Sequence, residues 1–153
     1  MNAISEAVYR LVERKLRRRG SMLRKAEEAL ARAREQATDI SAPAGRPGSG
    51  KKGGTGSRTE RGAMAVVRAE KRLEAVQKWE RVFRATDRIF PPESNEGYVV
   101  SMIYYNGMSQ ADLAKFSGCS RQTVRLRQDR YIIRAAFFAA QAGLIREDEL
   151  CED

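Results

Sequence analysis

Histidine is absent from this 153-residue chain, and cysteine occurs only as Cys119 and Cys151. Without histidine there is no Cys/His zinc site, no Ser-His-Asp triad and no Cys-His nucleophile pair, and two cysteines build no disulfide framework. A carboxylate-only active site is the one catalytic class left open. Long apolar runs are missing too: no stretch reaches the roughly 18 residues that a membrane helix needs, and the N-terminus becomes charged too soon for a secretory signal. Strand-like alternation is nowhere present. These absences point to an all-α, non-catalytic protein of the bacterial or host-cell cytoplasm. It should have reduced thiols, no metal, no cofactor and no membrane partner.

Positive charge is plentiful, with a formal net charge of +9. That favours an anionic partner, although charge speaks to association rather than fold. Its distribution says more. Residues 1–40 carry ten Lys/Arg against six Asp/Glu, 41–62 five against one, 63–90 seven against four, and 91–153 seven against nine. The C-terminal third is therefore net acidic, yet residues 115–134 hold six basic residues against Asp129 alone.

Residues 3–38 read as a long helix. Ile4, Val8, Val12, Leu16, Leu23, Ala26, Leu30, Ala33 and Ala37 recur at helical steps, with Gly20 beside Arg17, Arg18 and Arg19 as the expected kink or break. Composition then changes abruptly at 41–62, where Gly, Ser and Pro with interspersed charge predict a flexible basic linker. From Ala63 a second stripe runs through Val66, Ala69, Leu73, Val76, Trp79, Phe83 and Phe90. Thr86 is its one polar member, Val82 and Ile89 widen it, and Pro91-Pro92 stops it. Ser57 with Glu60 has capping-box spacing upstream. A linker of about two dozen residues spans roughly 27 Å r.m.s.. That favours an antiparallel hairpin, with ends about 10 Å apart, over a parallel pair needing about 40 Å. The remaining apolar faces suggest a homodimer through the long helices.

Ser94–Tyr105 predicts a short helix with Val99, Met102 and Ile103 apolar, stopped by Asn106-Gly107. The segment after it carries a readable mechanism. Ser109 can cap a helix, with Asp112 in the capping-box place. Leu113 and Ala114 face its core, Gly118 makes the turn, and Cys119 is a small plug. Ser120 caps a second helix running to Ala142 and closed by Gly143; Val124 points inward. Arg121, Gln122, Thr123 and Arg125 project outward, a set suited to base edges and phosphates. The rival is an ordinary helical hairpin with a glycine turn; the agreement of cap, Leu-Ala pair, glycine, plug and basic face favours a DNA-reading helix-turn-helix at 109–142.

The residues DLAKFSGCSRQTV resemble the headpiece of lac-repressor-type regulators, which implies that Arg121 and Gln122 read base edges. One position departs: the pattern calls for an apolar residue where Arg127 stands, with Leu126 beside it. Either the helix rotates so that Leu126 packs, or Arg127 faces a phosphate. Over residues 50–145 the order is a basic segment with Ser57–Glu60, a Trp-containing helix, an apolar helix ending Tyr104-Tyr105, and the helix-turn-helix. It is similar to phage late-gene transcriptional activators of the RinA and ArpU type, whose C-terminal part is like region 4 of sigma factors. That resemblance implies a small phage or prophage regulator, without the ligand-binding domain of lac-type repressors.

Gly45 to Lys52 matches the first seven positions of a P-loop, but Lys52 replaces the magnesium-holding Ser or Thr, and neither a strand nor a helix flanks it. The linker reading is preferred, with Lys51, Lys52, Arg58 and Arg61 as non-specific phosphate contacts. Arg17–Arg19 reads as a solvated helix face rather than a phosphate clamp, and Trp79 with Phe83 as core or dimer contacts rather than a base-stacking platform. The acidic tail 146–153 is either a solvated end or a contact for a basic partner.

The expected organisation is thus a helical segment 1–40, a linker 41–62, a helical DNA-binding domain 63–145 and an acidic tail. Arg121, Gln122 and Arg125 should read bases, while Ser109, Gln110, Lys115, Ser120, Thr123, Arg127 and Arg130 fix register on phosphates. Partners are double-stranded DNA, RNA polymerase and a second copy of the chain. An antiterminator-like polymerase-binding factor and a small terminase-like packaging subunit are the alternatives.

Overall fold

The computed structural model describes residues 3–41 and 55–151, with side chains at 3–39 and 58–151. Every regular element among them is helical: α1 (Glu6–Arg17), α2 (Arg19–Ser41), α3 (Thr55–Ile89), α4 (Asn95–Val100) continuing into a π-helical turn (Ser101–Tyr105), α5 (Gln110–Ser117), α6 (Arg121–Gln141) and α7 (Glu147–Leu150). No described helix is long and apolar enough to cross a membrane.

The chain divides into two compact units, Met1–Arg19 with Lys78–Asp153 and Gly20–Gln77. This departs from the expected order of segments. The break expected beside Gly20 falls at Arg18, two residues before the glycine, and the helices on its two sides fall in different units. α1 belongs with the C-terminal helices.

In that first unit, Ser5 caps α1 by accepting from the Val8 amide at 3.3 Å, and Val8, Val12 and Leu16 bury one stripe. Trp79, Val82, Phe83 and Thr86 line the end of α3 inside the core, so Trp79 and Phe83 (ring centroids 5.8 Å apart) are core residues. Thr86, fully buried, places its hydroxyl on the Val82 carbonyl at 2.8 Å, which satisfies the polar member of an apolar stripe. α4 meets the chain just beyond α3 closely at Gly97, where a Cβ would fall 2.1 Å from the Pro91 carbonyl oxygen. Only glycine fits there. Ala135, Ala136 and Ala139 are fully buried on α6, small side chains that let neighbouring helices approach.

The acidic end is no free tail. Ile145 and Leu150 are buried. The Ser5 amide donates to the Leu150 carbonyl at 2.6 Å and its hydroxyl to the Glu149 carbonyl at 2.8 Å. An amphipathic terminus supplied the last piece of core, which its run of carboxylates concealed.

The second unit is a helical hairpin. Arg34 pairs with Glu70 at 3.5 Å, and Ala33 and Gln36 share a groove with Arg58, Arg61, Gly62 and Ala65. The helices are therefore antiparallel. Ala26, Leu30, Ala33, Gly62 and Val76 are its buried residues. The expected linker is shorter than its composition suggested: residues 55–62 are helical. Once the stripe beyond Ala63 nucleates α3, each added residue gains a backbone hydrogen bond at little entropic cost. Residues 42–54, with the P-loop-like segment, lie outside the described residues.

Candidate nucleic-acid interface

α5 and α6 are each built by local signals. The Ser109 hydroxyl accepts from the Asp112 amide at 3.1 Å. Gly118 ends α5 in the left-handed conformation, φ 66°, and the amides of Gly118 and Cys119 both reach the Ala114 carbonyl. That arrangement stops a helix sharply and re-aims the chain. Ser120 then caps α6, accepting from the Thr123 amide at 3.1 Å, with the two hydroxyls 2.9 Å apart. Leu113, Ala114 and Val124 are buried between the two helices, and Cys119 is half-buried.

The first turns of α6 then emerge. Arg121, Gln122 and Arg125 are exposed and line, with Gln110, Leu126 and Asp129, an open groove of about 540 Å³. Lys115 is exposed on α5. Other expected contacts are occupied within the chain. Ser109 and Ser120 serve as caps, and Thr123 is half-buried beside its cap. Arg130 pairs with Glu96 at 3.2 Å. Gln110 turns inward, its amide donating to the Gln128 carbonyl oxygen at 2.6 Å. Arg58 and Arg61 are exposed in the hairpin unit; Lys51 and Lys52 lie outside the described residues.

The rotation of α6 is resolved against the packing of Leu126. That side chain is 53% exposed, whereas Val124, Gln128, Tyr131 and Ile132 face the core and Arg127 is half-buried. Gln128 explains the choice. Its amide donates to the Tyr104 hydroxyl and, at 3.3 Å, to Glu13, while its carbonyl takes Gln110. Tyr104 donates to Glu13 at 2.5 Å. This relay ties α1, the π-turn, α5 and α6 together through polar groups that all have partners.

Sequence reasoning passed over α1 as part of this site. Tyr9 donates to Asp129 at 2.6 Å, and Glu6, Tyr9, Arg10 and Glu13 face Arg125, Leu126, Asp129 and Arg130 across a groove of about 670 Å³. A parallel bond runs from Tyr131 to Asp87 at 2.6 Å. Burial, then the adjacent carboxylate, pushes the Tyr9, Tyr104 and Tyr131 phenols well above their ordinary range. Arg19 packs its guanidinium over Phe83 and contacts Glu80 (3.1 Å), Asp87 (2.8 Å) and Tyr105 (2.9 Å). Burial opposes its charge, and those partners outweigh burial. Arg17 lies over the Tyr104 ring at 5.1 Å. The expected solvated face therefore contains two arginines spent on holding the fold.

No metal-ligating cluster occurs among the described residues. No protein-family model matches this sequence, and no curated protein or solved structure is detectably similar to it.

Proposed function

We propose that the chain is a sequence-specific, non-catalytic reader of double-stranded DNA that regulates transcription in the cytoplasm, of the phage late-gene activator kind. The observation that carries this is the exposed trio Arg121, Gln122 and Arg125 at the capped start of α6, directly after the α5 turn. Their chemistry suits the major groove: arginine pairs bidentately with guanine, glutamine with adenine. The N-terminus of a helix adds partial positive charge toward a phosphate. Lys115, exposed on α5, borders that face and would hold register on the backbone. The activator assignment rests on the order of elements and its resemblance to the RinA and ArpU type.

Selection from a pool of random duplexes, followed by footprinting across the surrounding genome, tests the reading. A recurrent site is expected, bound more tightly than random duplex and with a strong salt dependence. Equal affinity for all sequences would overturn sequence reading. Co-purification of RNA polymerase without binding to free duplex would favour the antiterminator-like alternative.

A DNA-packaging subunit is the second reading. It is favoured by the long hairpin, whose Met64 and Val67 remain exposed and suit contact with further copies. A ring-sized assembly in light scattering supports packaging; a monomer or dimer supports the regulator.

A further inference from the structure

Along the first two turns of α6, polarity is inverted: Gln128 is buried and Leu126 stands outside, 53% exposed. The inward glutamine is accounted for by Tyr104, Glu13 and Gln110. The outward leucine lines the same groove as Arg121, Gln122 and Arg125. It follows Gln122 by four residues, one turn further along the helix, and so lies on the same face. The offset is about 6 Å of rise, under two base steps of about 3.4 Å each. Arginine and glutamine on this face make hydrogen bonds; an aliphatic side chain cannot. Placed against a guanine or cytosine edge, leucine would leave donors and acceptors without partners. The apolar feature that the major groove offers is the C5-methyl group of thymine.

We infer that Leu126 is a specificity-determining residue that takes a thymine methyl within two base pairs of the one met by Gln122. This rests on the DNA-reading function proposed above. It adds a term that the hydrogen-bonding residues do not supply: preference for thymine over cytosine or uracil at one position of the site.

The test uses the full chain and a duplex selected from random sequence, in which each thymine in turn is replaced by deoxyuridine, removing only the methyl. At one position the wild type should bind about fourfold more weakly, the worth of one methyl group withdrawn from water. Leu126→Ala should bind thymine and uracil duplexes alike there, and Leu126→Met should keep the discrimination. Gln122→Ala should keep it too, while losing preference at its own base pair. Persistence of the full uracil effect in Leu126→Ala, or no uracil effect in the wild type, overturns the inference and leaves DNA reading intact. A change of oligomeric state in Leu126→Ala with unaltered uracil discrimination overturns it in favour of a protein contact. If no duplex is selected at all, the DNA-reading function itself fails, and this inference with it.

Discussion

Alkaline pH should destabilise this protein, because three tyrosine hydroxyls that hold the first unit together must keep their protons. Tyr9, Tyr104 and Tyr131 donate to Asp129, Glu13 and Asp87 at 2.6, 2.5 and 2.6 Å. Burial, reinforced by those carboxylates, raises all three phenols above the ordinary value of about 10. Near that pH the unfolded chain releases these protons while the folded chain keeps them. Above it the native state binds more protons than the unfolded one, so stability falls as pH rises; below it the contribution is fully present. By about pH 11 each phenol that stays protonated in the fold accounts for a loss of about 1.4 kcal/mol. Tyr104 and Tyr131, both buried, together account for about 3 kcal/mol. Half-buried Tyr9 adds a fraction, since solvent screens its pair. Urea denaturation midpoints from about pH 8 to about pH 11, read at constant slope, measure this directly. Tyr104→Phe and Tyr131→Phe, each less stable at neutral pH, should each remove about 1.4 kcal/mol of the alkaline loss, and the double variant about twice that. If the double variant loses as much stability over that range as the wild type, the buried phenols do not carry the effect and the reasoning is wrong.

Gly97→Ala forces a Cβ to within 2.1 Å of one backbone oxygen and 2.5 Å of another. It should destabilise by about 3 kcal/mol, seen as a melting temperature lower by about 6–12 °C. Arg19→Ala removes from Asp87 and Glu80 a cation only 15% exposed, leaving Glu80 with Arg84 at 3.3 Å. The expected loss in denaturant titration is about 2–3 kcal/mol, less than for a fully buried pair because Asp87 is partly solvated; a loss below about 0.5 kcal/mol would place this cluster among ordinary surface pairs. Arg121→Ala or Gln122→Ala should weaken binding to a selected site by about 1–3 kcal/mol and relax specificity there, measured by fluorescence anisotropy. Lys51→Ala or Lys52→Ala should weaken selected and random duplexes alike and flatten the salt slope. Equal losses on both duplexes for the Arg121 and Gln122 variants would exclude base reading.

What was legible in the sequence was local. Ser109 and Ser120 cap the helices that follow them, Gly118 turns the chain, and Pro91-Pro92 lies just beyond α3. The inward places of Leu113, Ala114 and Val124 were legible as well. So was the outward face of Arg121, Gln122 and Arg125. Composition was a weaker guide. It marked 41–62 as linker, although α3 begins at Thr55, and it concealed Leu150 behind acidic neighbours. Gln110 and Arg130 read as phosphate contacts from residue type alone; their partners Gln128 and Glu96 are visible only in three dimensions.

By itself the sequence determined the helices, their caps and the turn, because those depend on hydrogen bonds and backbone angles within a few residues. Tertiary structure decided which helices share a core. α1 joins α6 through Tyr9 and Asp129, 120 positions apart, and no spacing rule reaches across that distance. The same packing decided the rotation of α6. Three polar partners, Gln110, Glu13 and Tyr104, hold Gln128 inside, and so leave Leu126 on the exposed face of α6.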